Sequence, residues 1–141
     1  MATSPSTIPT STELQGQITS LRSTFGAVVS HTTARYTELV GSDMAAALQA
    51  ALNDVAQANH WHVRVSAGGL TDTHPFETPD TAVRAYRVLA RTILNHMGIM
   101  VGARLANSIM REGAQQLDPA QRQLAQSHHL LPEGVLPGPA R

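Results

Sequence analysis

The 141-residue chain contains no cysteine. Disulfides, thiolate metal sites and a thiol nucleophile are therefore excluded, and cysteine usage says nothing about redox compartment. Lysine is missing too, since all ten basic residues are arginine. That removes a Schiff-base lysine and a phosphate-loop lysine. Aromatics make up only 4% of the chain and charged residues 14%, with ten acids against ten bases. Such a balance carries no overall polyanion-binding signature, so nucleic acid is not an expected partner. There is no run of about 18 apolar residues to span a membrane. The start, "MATSPSTIPT", is not a basic segment followed by an apolar one, so no secretory signal is read there. The expected setting is cytoplasmic, with no membrane partner.

What is present is aliphatic. Apolar residues reach 42% and are mostly Ala, Val, Leu and Ile, with Met, a composition suited to packed helices rather than strands. Residues 1–10 are rich in Ser, Thr and Pro and read as a disordered tail. In "TELQ", Thr12 and Gln15 fit a capping box that opens a helix. Leu14, Ile18, Leu21, Phe25, Val28, Thr32 and Leu39 then mark a heptad seam on a helix of roughly 27 residues, or ~40 Å. Gly41 ends it, and Ser42 or Asp43 caps a second helix with Met44, Leu48, Leu52 and Val55 on one face, stopping near Asn59.

"ANHWHVRVSAGG" follows. Trp61, Val63 and Val65 alternate with polar residues, the pattern of a short strand, but no second alternating segment stands out. The stretch is therefore expected to be an extended connector, the alternative being a strand that pairs with a copy of itself. Asp80, after Pro79, is expected to cap a third helix with Val83, Tyr86, Leu89/Ala90, Ile93, Met97 and Met100/Val101 as its stripe. Gly98, Gly102 and Ala106 follow at four-residue intervals. They either bare one strip of helix for a close neighbour or break the helix near Gly102. Asp118 and Pro119 open a short last helix, and residues 131–141 read as an irregular tail.

Residues Phe25–Leu48 and Tyr86–Ile109 echo each other at a constant offset of 61. Phe25 falls on Tyr86, Val40 on Val101, Gly41 on Gly102 and Ala45 on Ala106. Internal duplication and the generic similarity of two amphipathic hairpins both account for this. The expected fold is all-α and four-helix-bundle-like: two helical hairpins, a short extended connector and a C-terminal helix, all within residues 11–130.

Candidate chemistry is sparse. His60 and His62 flank the only Trp, and with His74, Asp72 and Glu77 they could assemble a His/carboxylate set for Zn²⁺ or Fe²⁺. Bundle metal sites draw ligands from facing helices, often through Glu-x-x-His, and that motif is absent. No metal or other cofactor is expected, and His60, His62 and His74 are kept only as candidate ligands. Seven histidines would add positive charge as pH falls through about 6.5. Arg84, Arg87 and Arg91 lie on one side of the third helix, and residues 81–112 carry a net +4. They are candidate anion-binding residues, unless acids elsewhere in the chain or in a second subunit neutralise them.

No Ser/His/Asp signature, phosphate loop or carboxylate pair occurs, so no catalytic residue is assigned. The expected function is a non-catalytic helical module of a prokaryotic cytoplasm. It self-associates as a homodimer through Gly98, Gly102 and Ala106 and binds other proteins in a regulatory or scaffolding, signalling-type role. A small-ligand or metal sensor binding between helices is the alternative, and a small helical enzyme a third.

Overall fold

The computed structural model describes residues 11–67, 69–132 and 135. The expected disordered tail, 1–10, lies outside them, as does most of the expected C-terminal tail. The described chain is mostly helical: α1 (Ser11–Val40), α2 (Ser42–Ala58), α3 (Pro79–Val101), α4 (Ala103–Gln115) and α5 (Pro119–Ser127). One antiparallel two-stranded sheet, β1 (Val63–Ser66) and β2 (Gly69–Asp72), lies between α2 and α3 in the chain. Among the described residues no helix is long and apolar enough to cross a membrane.

α1 is the spine, touching α2, α3, α4, α5 and β2. Its seam is buried at Ile18, Leu21, Phe25, Val28 and Thr32. Beyond Thr32 the core position passes to Tyr36, which is fully buried, while Leu39 turns outward. A strict seven-residue repeat drifts about 20° per heptad on a straight helix, so the contact face follows the 3.6 period instead. The helix already includes Ser11 and Thr12, so Thr12 is not its cap. Gln15 does not reach back to Thr12 either; its amide donates to the Phe76 carbonyl at 3.5 Å.

Both long helices end at a glycine that also begins the next helix. Gly41 has φ 91° and ψ 165°, and Gly102 has φ 94° and ψ 148°. Gly41 N–H donates to Thr37 O and Ala45 N–H to Gly41 O; Gly102 N–H donates to Gly98 O and Ala106 N–H to Gly102 O. These paired bonds, and the helix limits on either side, repeat at the offset of 61 seen in the sequence. A residue with Cβ is strongly disfavoured in this backbone region, which explains glycine at both corners. α3 therefore breaks at Gly102, and Gly41, rather than Ser42 or Asp43, caps α2 with no side-chain hydrogen bond.

The stretch after α2 corrects the expectation of a connector. Val63 pairs with Asp72, Arg64 with Thr71, Val65 with Leu70 and Ser66 with Gly69, so β1 finds its partner within the chain. The partner was hidden because "GLTD" carries one aliphatic residue and begins with glycine. α2 itself closes as a Schellman motif. His60 takes φ +60°, its N–H donates to Gln57 O, and Trp61 N–H donates to Ala56 O. α5 closes the same way, with His129 at φ +50° and Leu130 N–H donating to Ala125 O.

α3 is capped by Thr78, not Asp80. The Thr78 hydroxyl accepts from Thr81 N–H, the Thr81 hydroxyl is bonded in return, and Pro79 occupies the first turn. Asp118 and Pro119 open α5 as expected, with Gln121 completing the capping box. The core gathers α1's seam, Leu48 and Leu52, Leu89, Ile93 and Met97, and Ile109 and Met110. Leu131 and Val135 add to it, so the start of the C-terminal tail is irregular yet buried. At Gly113 α4 lies close against α1: an added Cβ would sit 2.8 Å from Thr32 Oγ1 and 3.2 Å from the Val28 carbonyl.

Candidate functional site

The densest polar cluster among the described residues is centred on Asp72, the last residue of β2. Its side chain is fully buried, which for a carboxylate is tolerable only with partners. The hydroxyl of Tyr86, on α3, donates to Asp72 Oδ2 in a short hydrogen bond. His74 N–H donates to Oδ1 at 2.9 Å. Arg22 of α1 brings Nε to 3.3 Å from Oδ2, an ion pair whose N–H is not aligned as a hydrogen bond. The same guanidinium donates from Nη2 to the His74 carbonyl at 2.9 Å. α1, β2 and α3 thus meet at one carboxylate.

The protonation states follow from this packing. Burial works against the Arg22 charge, but Asp72 and Tyr86 outweigh it and hold the guanidinium above its ordinary value. Burial first, then the Asp72 carboxylate, push the Tyr86 phenol well above its ordinary range. His74 is lowered by burial and by His62 and Arg22, with Asp72 opposing. His74 Nδ1 accepts the His62 N–H at 3.0 Å, so its proton sits on Nε2 when the ring is neutral. Asp72 is engaged at both oxygens, and the cluster leaves it no open position for a reacting group. It fastens the hairpin to α1 and α3.

The candidate metal ligands do not converge. The His62 and His74 rings lie edge to face, 5.5 Å apart, with His74 Nδ1 already engaged. His60 is exposed at the end of α2. Among the described residues no three His, Asp or Glu side chains form a group that could hold a metal ion. Asp72, weighed as a ligand, is committed to Tyr86 and Arg22.

The candidate interface residues are dispersed by the corner. Gly98 lies near the end of α3, Gly102 stands in open space between helices, and Ala106 is buried within α4. They do not line one helix. Large apolar side chains are exposed around them instead: Ile99 (84%), Met100 (43%) and Leu105 (42%), with Leu39 (44%) at the other corner. Tyr36 and His96 touch edge to face, at a centroid distance of 6.5 Å, just before the two corners. Gly41 and Gly102 therefore lie at the same end of the molecule.

The candidate anion-binding residues do come together. Arg84, Arg87 and Arg91 are exposed along one face of α3 and line an open groove of about 700 Å³, walled on one side by Ser127 and His128 at the end of α5. None of the three forms an ion pair among the described residues. Among the acids, Asp72 pairs with Arg22 and both Glu38 and Glu112 with Arg35, while Asp80 lines the same groove as the three arginines. No ion pair within the described chain holds these arginines, and Asp80 is the one acid in the groove's lining.

Comparison of the chain with protein-family models, with curated proteins and with solved structures finds no match to any of them.

Proposed function

We propose that the chain is a non-catalytic cytoplasmic module that self-associates, as a dimer, and serves in a regulatory or scaffolding role. In this reading α1–α2 and α3–α4 are two copies of one helical hairpin, arising by duplication and packed as a four-helix-bundle-like body. The matching corner conformations and hydrogen bonds support it.

The observation that carries self-association is the apolar end around the two corners. Leu39 and Met100 occupy equivalent positions two residues before each glycine, and both are exposed. Ile99, at 84% exposure, and Leu105 flank Gly102 on either side and are exposed as well. Burying an exposed side chain such as Ile99 at an interface stabilises it by roughly 1.5–3 kcal/mol, and the half-exposed ones by correspondingly less; exposed apolar residues grouped together mark interaction surfaces. The expected contact between copies thus moves from a bare strip through Gly98, Gly102 and Ala106 to the large side chains around them.

Light scattering with native mass spectrometry tests this directly. The unmodified protein should have the mass of a dimer, and an Ile99→Glu/Met100→Glu variant should be monomeric with unchanged helical circular dichroism. A protein that is monomeric at all accessible concentrations would defeat the reading.

A further inference from the structure

We propose that the α3 groove is a docking site for an acidic amphipathic helix of a partner protein, separate from the apolar end. Three like charges at i, i+3 and i+7 repel one another along a helix, and Arg84, Arg87 and Arg91 form no ion pair among the described residues, Asp80 at one end being the single acid in the groove's lining. Their Cα positions step along α3 by about 4.5 and 6 Å, at 1.5 Å per residue. Carboxylates on one face of a facing helix recur with the same steps, so one helix can meet all three.

The groove also has an apolar component. Val83 is buried in its floor and Val88 is exposed between the arginines. Charge flanking an aliphatic contact is how a groove receives the face of an amphipathic helix. The groove follows α3 from Asp80 to Asn95, about 22 Å. It is long and open rather than an enclosure that would bury most of a small ligand. His128 is the one aromatic ring in its lining, which is too little for base stacking along a single nucleic-acid strand. Asp80, at the start, gives the site polarity: the complementary helix carries a base there and acids opposite the three arginines.

Fluorescence anisotropy with stapled helical peptides tests this on the full chain. One peptide carries Glu at i, i+3 and i+7 with Leu between them. A second has the same composition with the Glu residues spread around the helix. The first should bind in a salt-sensitive way and about tenfold more tightly than the second. Arg87→Ala/Arg91→Ala, with circular dichroism unchanged, should abolish that preference, while Ile99→Glu/Met100→Glu should leave it intact and lose only self-association. Absence of binding, equal affinity for the two peptides, or full binding by the arginine variant would each overturn the proposal. So would displacement of the peptide by inorganic diphosphate or a single-stranded oligonucleotide at concentrations below the peptide's own, which would assign the groove to phosphate.

Discussion

Phe25 of α1 and Tyr86 of α3 stack with ring centroids 4.8 Å apart and planes 19° apart. They are also the residues that superimpose when the sequence is shifted by 61. The two halves thus meet at the same position of each, and both side chains are fully buried. Phe76 closes on the Tyr86 ring edge to face at 5.6 Å. Phe25→Ala should remove the stack and leave a cavity, costing about 3–5 kcal/mol. Chemical denaturation should show a lower midpoint with an unchanged slope; an unaltered midpoint would take Phe25 out of the core.

Tyr86 also anchors the Asp72 cluster, and its hydroxyl is separable from its ring. Tyr86→Phe should keep the stack and cost about 1–2 kcal/mol, the price of an unmet buried acceptor. Asp72→Ala should cost more, about 2–4 kcal/mol, because it strands Arg22 and the Tyr86 hydroxyl together. Arg22 is about a third exposed, so solvent screening keeps this loss below that of a fully buried pair. A double-mutant cycle should give clear coupling, and strict additivity would mean that the two groups do not act together.

Much of this fold was legible, and what was not has physical causes. The Gly41 corner, the Asn59 stop, the Asp118–Pro119 start and the apolar stripes through Phe25 and Ile93 are set by local backbone and burial rules. The partner of β1 was not legible, because Leu70 is the only aliphatic side chain in "GLTD". Nor was the Asp72 cluster. Arg22 and Tyr86 lie far from Asp72 in the sequence, and each looks like an ordinary member of an amphipathic helix. Arg84, Arg87 and Arg91 were legible as a set because one helix carries all three. That none of them forms an ion pair among the described residues depends on tertiary packing.

The lowered proton affinity of His74 links stability to pH. Its folded pKa lies below the ordinary value of about 6.5, so the unfolded chain takes up the proton first. The contribution is fully present above about pH 6.5 and is lost as pH falls from there towards the folded value. His74→Asn keeps an acceptor for the His62 N–H but cannot titrate. Its stability should fall less between pH 7 and pH 5 than that of the parent, and parallel curves would dismiss the effect.

Histidine at the left-handed position of two Schellman caps is a residue that glycine should outperform. His60→Gly and His129→Gly should each stabilise by roughly 0.5–1 kcal/mol. Relief of the left-handed strain is partly offset by the greater freedom of glycine in the unfolded chain. His60→Val should destabilise. If thermal melting ranks valine above glycine, His60 has contacts that outweigh its backbone.

Glycines of the same chain should respond oppositely to alanine. Gly16 and Gly26 sit inside α1 with no atom within 4 Å of an added Cβ, and neither has positive φ. Alanine at either should stabilise by about 0.5–1 kcal/mol. The space around Gly41 and Gly102 is equally open, yet alanine there should cost about 1–3 kcal/mol, because the obstacle is the backbone itself. Four single variants compared by calorimetry would separate room for a side chain from conformational permission.

The amide of Asn53 has a consequence for how the small sheet behaves in company. From α2 it donates to Val65 O at 3.0 Å and accepts from Val65 N–H at 2.7 Å. It reproduces, with one side chain, the pair of bonds that a neighbouring strand would make. The open edge of a two-stranded ribbon is a template for adding strands from other molecules, the route by which sheets grow into aggregates. At Val65 that edge is already occupied, so the ribbon is closed to outside strands where it is most apolar. Removing the amide would leave the Val65 N–H and carbonyl at this margin without the partner that α2 now gives them.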